Sequence, residues 1–141
     1  FETPNIDDVD AVIDVAAKLC SMINVLNYKL SKKKYEKIDV GIGIDDGVAL
    51  MVKAGYSGSG LNDVIWMGDV VNSACHLANK AGRDFREPIL ITSKVYNNVL
   101  EATQKLLTKC TVDGTTYYEG NIIWDPIENW YKRKIVDKNL C

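Results

Sequence analysis

The chain has 141 residues, 47% of them hydrophobic, and a formal net charge of -2. That is enough apolar material for one globular core. The charge balance excludes the broad basic surface of a nucleic-acid binder, and no apolar run is long enough to span a membrane. No segment reads as a signal peptide, and a cytoplasmic protein is expected. Cys20, Cys75, Cys110 and Cys141 stand far apart with no CxxC pair, so reduced thiols are expected rather than a zinc site. The chain opens on Phe1-Glu-Thr-Pro4, which reads like the exit of a strand, so a fragment is expected.

In chain order, Pro4 and Asn5 lead into a predicted helix over 6–30. Val9, Val12, Ala16, Leu19, Cys20, Ile23 and Leu26 recur at helical spacing. Asp7, Asp8, Asp10 and Asp14 fall early, where they suit the helix dipole and are expected in solvent rather than on a metal. The only basic run, Lys32-Lys33-Lys34, reads as a solvated link. Apolar runs at 38–44 and 48–54 then flank Asp45-Asp46-Gly47, and Asp-Gly between such runs predicts a hairpin. The two carboxylates read as turn chemistry. Gly41 and Gly43 interrupt the first of these strands. Glycine weakens a strand unless something approaches its backbone closely; a helix or a ligand would do so, and helix packing is the expected reason.

Gly55-Tyr-Ser-Gly-Ser-Gly60 lacks the phosphate-loop pattern and reads as a connection. A strand, Val64–Met67, meets Gly68, and Asp69 is a candidate N-cap for the next helix. Val70, Val71, Ala74, Leu77, Ala78 and Ala81 share one face of that helix. Asn72, His76, Asn79 and Arg83 share the other. Its first turn offers free N–H groups and the positive dipole end, which suit phosphate. After a link over 82–87 come a short strand (88–92), a helix capped by Ser93 (94–100), a second helical run (101–108), and strands at 110–118 and 121–125 around Glu119-Gly120. A charged tail covers 129–141. This order predicts an α+β fold, a largely antiparallel sheet with helices packed on one face, nearest to a ferredoxin-like palm.

Gly41-Ile-Gly-Ile-Asp-Asp-Gly47, Gly55, and Asp63-Val-Ile-Trp-Met-Gly-Asp-Val-Val-Asn72-Ser-Ala resemble the class III nucleotide cyclases. The family pattern there is roughly GIGIxxG…G…DYxxxGDxVNxAxR, and Pro88-Ile-Leu-Ile-Thr-Ser93 looks like the strand and short helix that follow. The resemblance covers about residues 1–125; residues 1–128 are expected to be the C-terminal portion of a catalytic domain. It implies conversion of a nucleoside triphosphate to a 3′,5′-cyclic nucleotide and pyrophosphate by a homodimer with composite sites. It also implies two divalent ions, Mg²⁺ or Mn²⁺, which activate the 3′-hydroxyl and bind the phosphates.

The resemblance carries over residue by residue only in part. Asn72 matches the asparagine that orients the ribose. Asp69 matches the GDxVN aspartate, which capping alone would explain. Four residues after Asn72 the family has a transition-state arginine, and this chain has His76. Arginine is always charged and forks onto phosphate oxygens, whereas histidine is charged only at low pH unless perturbed. Either His76 serves, or Arg83 reaches the site from two turns on, or the function is missing. Ile65 stands at the base-selecting position, where purine cyclases commonly carry a polar residue. Tyr117-Tyr118-Glu119-Gly120-Asn121 stands where adenylate cyclases often have a lysine. These departures favour the pyrimidine cyclases of Pycsar anti-phage defence, which make cyclic CMP or cyclic UMP as an alarm signal for a downstream effector. Tyr56 and Trp66 could stack on a base, with core packing the competing role for Trp66. The expected set is therefore Asn72 and His76 as catalytic residues, and Ile65, Trp66, Asp69 and Arg83 against the substrate. No metal ligand is assigned, since the family's two aspartates precede Phe1 in this alignment. The competing expectation is an inactive cyclase-homology module acting in dimerisation or regulation.

Overall fold

A computed structural model describes residues 5–55, 62–84 and 86–139. The first helix, α1 (Ile6–Lys32), begins at a reciprocal capping box. The Asn5 side chain accepts from the Asp8 N–H (2.8 Å), and the Asn5 N–H donates to the Asp8 carboxylate (3.2 Å). The buried stripe of α1 is Val9, Ile13, Ala16, Ala17, Cys20 and Ser21. Three residues predicted on that stripe, Val12, Leu19 and Leu26, are exposed instead. The helix carries two apolar stripes, and the one rich in small side chains packs inward. Small residues allow close approach, and the buried Ser21 hydroxyl accepts from the Trp124 N–H (2.8 Å).

The main sheet has four strands in the order β1-β4-β6-β5. Strand β1 (Ile42–Ile44) lies parallel to β4 (Ile89–Thr92), which is antiparallel to β6 (Thr115–Gly120), which is antiparallel to β5 (Thr108–Val112). Two further strands, β2 (Leu50–Gly55) and β3 (Asn62–Met67), form a separate antiparallel ribbon that pairs Val52 with Ile65 and Met51 with Trp66. The remaining helices are α2 (Asp69–Lys80), α3 (Ser93–Asn97), α4 (Glu101–Gln104) and α5 (Asp125–Asn139). Thr92, not Ser93, caps α3. The charged stretch read as a tail lies largely within α5.

The α+β class and the largely antiparallel pairing are as expected. The helices, expected on one face of the sheet, occupy both. Ile89 and Ile91 of β4 join Val9, Ile13, Ala16 and Cys20 of α1. Leu90, between them, joins Leu77 and Ala81 on the α2 side, together with Val112. Successive strand residues point to opposite faces, so α1 and α2 sandwich the sheet.

The predicted hairpin around Asp45-Asp46-Gly47 does not form, because β1 and β2 belong to different sheets. A tight Asp-Gly hairpin turn needs positive φ at both central residues, and neither Asp46 nor Gly47 has it. The two carboxylates are engaged elsewhere. Asp45 Oδ1 accepts from its neighbour's N–H (2.9 Å) and from Thr92 Oγ1 (2.7 Å). Asp46 pairs with Lys94 (3.1 Å). The tight Asp-Gly turn occurs at Asp113 (φ 49) and Gly114 (φ 79), joining β5 to β6. The last hairpin therefore turns there and not around Glu119-Gly120.

Gly41 and Gly43 are explained by packing, as expected. A Cβ on Gly43 would run into the Ala74 carbonyl and the Ala78 amide of α2, and one on Gly41 into the Ala78 and Ala81 carbonyls. The helix lies directly on β1, which fixes where its other face points.

Candidate active site

Gly68, not Asp69, is the N-cap of α2, and no side-chain capping bond is made. Its φ of 139° is a conformation open to glycine, and a Cβ there would sit 3.1 Å from the Val48 carbonyl oxygen. The strand-to-helix turn is thus made by backbone freedom. Asp69 occupies the first helical position, where its charge complements the dipole.

The apolar side of α2 is held by the fully buried Leu77 and Ala81. Asn72 and His76 lie on the exposed side, one turn apart. Arg83 does not continue their stripe. The helix ends at Lys80, Ala81 is extended (ψ 145), and Gly82 (φ 66) turns the chain away. The Gly82 N–H donates to the Glu87 carbonyl (3.0 Å), closing the loop in which Arg83 sits exposed. The residue that continues the stripe is Lys80, which sequence reasoning overlooked.

His76 and Lys80 meet an acid that was also overlooked. His76 Nε2 lies 3.2 Å from Asp113 Oδ2, and Lys80 Nζ lies 3.5 Å from the same oxygen. The Lys80 charge, and then the hydrogen bond from His76, hold the Asp113 carboxyl below the usual carboxylate range. The Asp-Gly turn was the available signal for Asp113, since it brings β5 and β6 to a tip at that residue.

Ile65 and Trp66 are 47% and 56% exposed, so the core role weighed for Trp66 does not hold. Neighbours along a strand point to opposite faces, and one ligand surface of one chain can take only one of the two. Around them Leu50, Met51, Val64 and Met67 are also exposed, leaving both faces of the β2–β3 ribbon apolar and open. Tyr56 lies outside the described residues. Among the described residues no group of three or more His, Cys, Asp or Glu could hold a metal ion. None of their helices is long and apolar enough to cross a membrane. The cavities along α1, one of about 290 Å³ beside Asn27, Asp39 and Arg86 and one of about 390 Å³ beside Tyr28, Glu128 and Tyr131, involve none of the predicted site residues. Asn72, His76 and Asn79 on the polar side of α2 are exposed.

The structure thus brings together a turn made by glycine, an asparagine one turn before His76, and a helix seated on a glycine-containing strand. Over 139 residues the chain is 32% identical to a protein from Treponema porcinum named uridylate cyclase, which takes in 97% of this chain and 49% of that protein. The chain is similar to uridylate cyclases. A second protein of that name, from Gulbenkiania mobilis, is 43% identical over 81 residues, 55% of this chain and 31% of its own length. The chain therefore spans about half the length of the first uridylate cyclase and about a third of the second. No family model matches the chain, and no solved structure does.

Proposed function

We propose that the protein is a nucleotide cyclase that acts on a pyrimidine nucleoside triphosphate, UTP before CTP. The observation that carries this reading is the likeness to a uridylate cyclase along 97% of the chain. In the reaction the ribose 3′-oxygen attacks the α-phosphorus. The new O3′–P bond closes the ring, the bond to the β-phosphate oxygen breaks, and pyrophosphate leaves. The attack is intramolecular, so orientation supplies much of the rate.

The Asn72 amide, exposed near the start of α2, orients the ribose. His76 presents its imidazole to the phosphates, and Lys80 behind it supplies positive charge. Asp69 stays at the helix start as a dipole partner, and Ile65 gives an apolar edge that makes no hydrogen bond to a purine. The two divalent ions that the class III resemblance implies find no ligand cluster among the described residues.

A second copy of the chain covers the apolar ribbon and completes the open surface of α2, giving a homodimer with shared sites. The product serves as an antiviral second messenger read by a downstream effector. This last step rests on the likeness to the Pycsar cyclases.

The test is turnover of ATP, GTP, CTP and UTP, supplied separately with Mn²⁺, with products identified by mass. Cyclic UMP is expected. A purine cyclic nucleotide would overturn the base assignment. No product from any triphosphate, with binding retained, would favour the inactive homology module. His76 offers a second check. His76→Arg restores the family residue and is expected to keep activity within about tenfold, while His76→Ala should cost on the order of 10²-fold, the scale of one charge-stabilising donor. Turnover that ignores both changes would assign the charge to another residue.

A further inference from the structure

We propose that Asp113 is a positioning residue that holds the His76 imidazole through Nε2 and leaves Nδ1 facing the nucleotide; this rests on the cyclase reading above. An exposed ion pair is ordinarily worth little, because two mobile side chains must be ordered to form it. This contact differs in what lies under it. Leu77, next to His76, and Val112, next to Asp113, belong to one buried cluster with Ala81 and Leu90. Core packing therefore sets the separation of the two backbones.

The carboxylate side is also fixed. Asp113 and Gly114 form a two-residue turn with φ of 49 and 79, closed by the Val112↔Thr115 pair. A turn of this kind is short and well defined. Lys80 reaches the same Asp113 oxygen as His76, from one turn further along α2. Its charge favours the ionised carboxyl, the form that accepts from the imidazole. With Nε2 engaged, Nδ1 is the nitrogen left for a ligand. The hairpin tip thus does for the imidazole what a second-layer carboxylate does for other functional histidines, which is to choose the ring orientation. With a protonated ring, the three groups sum to one positive charge at the position proposed for the phosphates.

Asp113→Asn in the intact protein tests this, since asparagine tolerates the same left-handed backbone and keeps the turn. His76 is the only histidine in these 141 residues, and its ring signals are assigned by their loss in His76→Gln. In Asp113→Asn, the ¹³C relaxation of the ring is expected to show increased motion on the nanosecond scale. Turnover should fall by about tenfold in the otherwise unchanged protein and by less than about twofold in a His76→Ala background, the non-additivity of groups acting as one unit. Unchanged ring relaxation would overturn the proposal, and so would equal losses in the two backgrounds. A protein with no turnover at all would overturn the cyclase reading, and ring relaxation alone would then decide whether Asp113 holds the imidazole.

Discussion

Asn72→Ala is expected to lower turnover by about 10²–10³-fold, the scale on which a single preorganised polar contact acts in a transition state. The side chain is exposed on α2, and the backbone N–H of Asn72 already donates to the Gly68 carbonyl (3.1 Å) whatever the side chain is. Alanine is the better helix former by several tenths of a kcal/mol. The folded state should therefore lose nothing, and thermal unfolding should stay within about 0.5 kcal/mol of the parent, as for surface changes away from caps and cores. Loss of rate with stability retained is what distinguishes a residue that touches substrate from one that supports the fold. If Asn72 orients the ribose, kcat carries most of the loss, because misorientation raises the barrier more than it weakens binding. Turnover equal to the parent would remove Asn72 from the site. Measuring kcat, KM and the unfolding midpoint on one preparation separates these outcomes.

What could be read in the sequence was local, and what could not was the pairing of distant pieces. The strand, glycine and helix around Gly68 follow from spacing alone, and so does the requirement for something close to Gly41 and Gly43. The hairpin signal was correct chemistry assigned to the wrong Asp-Gly. At Asp46-Gly47 a competing set of bonds, Thr92 to Asp45 and Lys94 to Asp46, holds the turn in another conformation. At Asp113-Gly114 both residues take positive φ and the tight turn forms, with the Asp113 carboxylate bonded to His76 and Lys80. A single sequence cannot show that residues 47 positions apart will meet. The stripe on α1 was legible only in part, with Val9, Ala16 and Cys20 buried and Val12, Leu19 and Leu26 exposed, for a related reason. Two apolar stripes run along that helix, and periodicity cannot say which one the sheet covers. The candidate site shares this pattern. Asn72 and His76 share one helix face, as read from spacing, Arg83 leaves that face because α2 stops at Lys80, and the contact of His76 with Asp113 became visible only in the folded chain.

Gly43→Ala is expected to be the most damaging single-methyl change to the fold. Its Cβ would fall on the Ala74 carbonyl and the Ala78 amide and within 2.8 Å of Leu77 Cβ. These are helix backbone atoms and the root of a buried side chain, so no rotamer change relieves the clash. Added methyl groups in packed cores cost about 1–3 kcal/mol where neighbours can shift. With backbone on the receiving side, about 3 kcal/mol or more is expected, a large share of the 5–15 kcal/mol typical of a domain. The control is Gly114→Ala. Its Cβ would meet nothing within 4 Å, and its strain comes only from the positive φ of 79°, about 1–2 kcal/mol for a residue forced into the left-handed region. Urea unfolding should show the midpoint falling much further for Gly43→Ala than for Gly114→Ala, with m unchanged in both. The two variants also differ in function. Lifting α2 off β1 moves Asn72, His76 and Lys80 together, and a displacement of about 1 Å can cost 10²-fold in rate. Gly43→Ala that still folds should therefore be slow as well as unstable. A Gly43→Ala protein as stable as the parent would mean that α2 does not lie this close to β1, and the placement of the whole candidate site would fall with it.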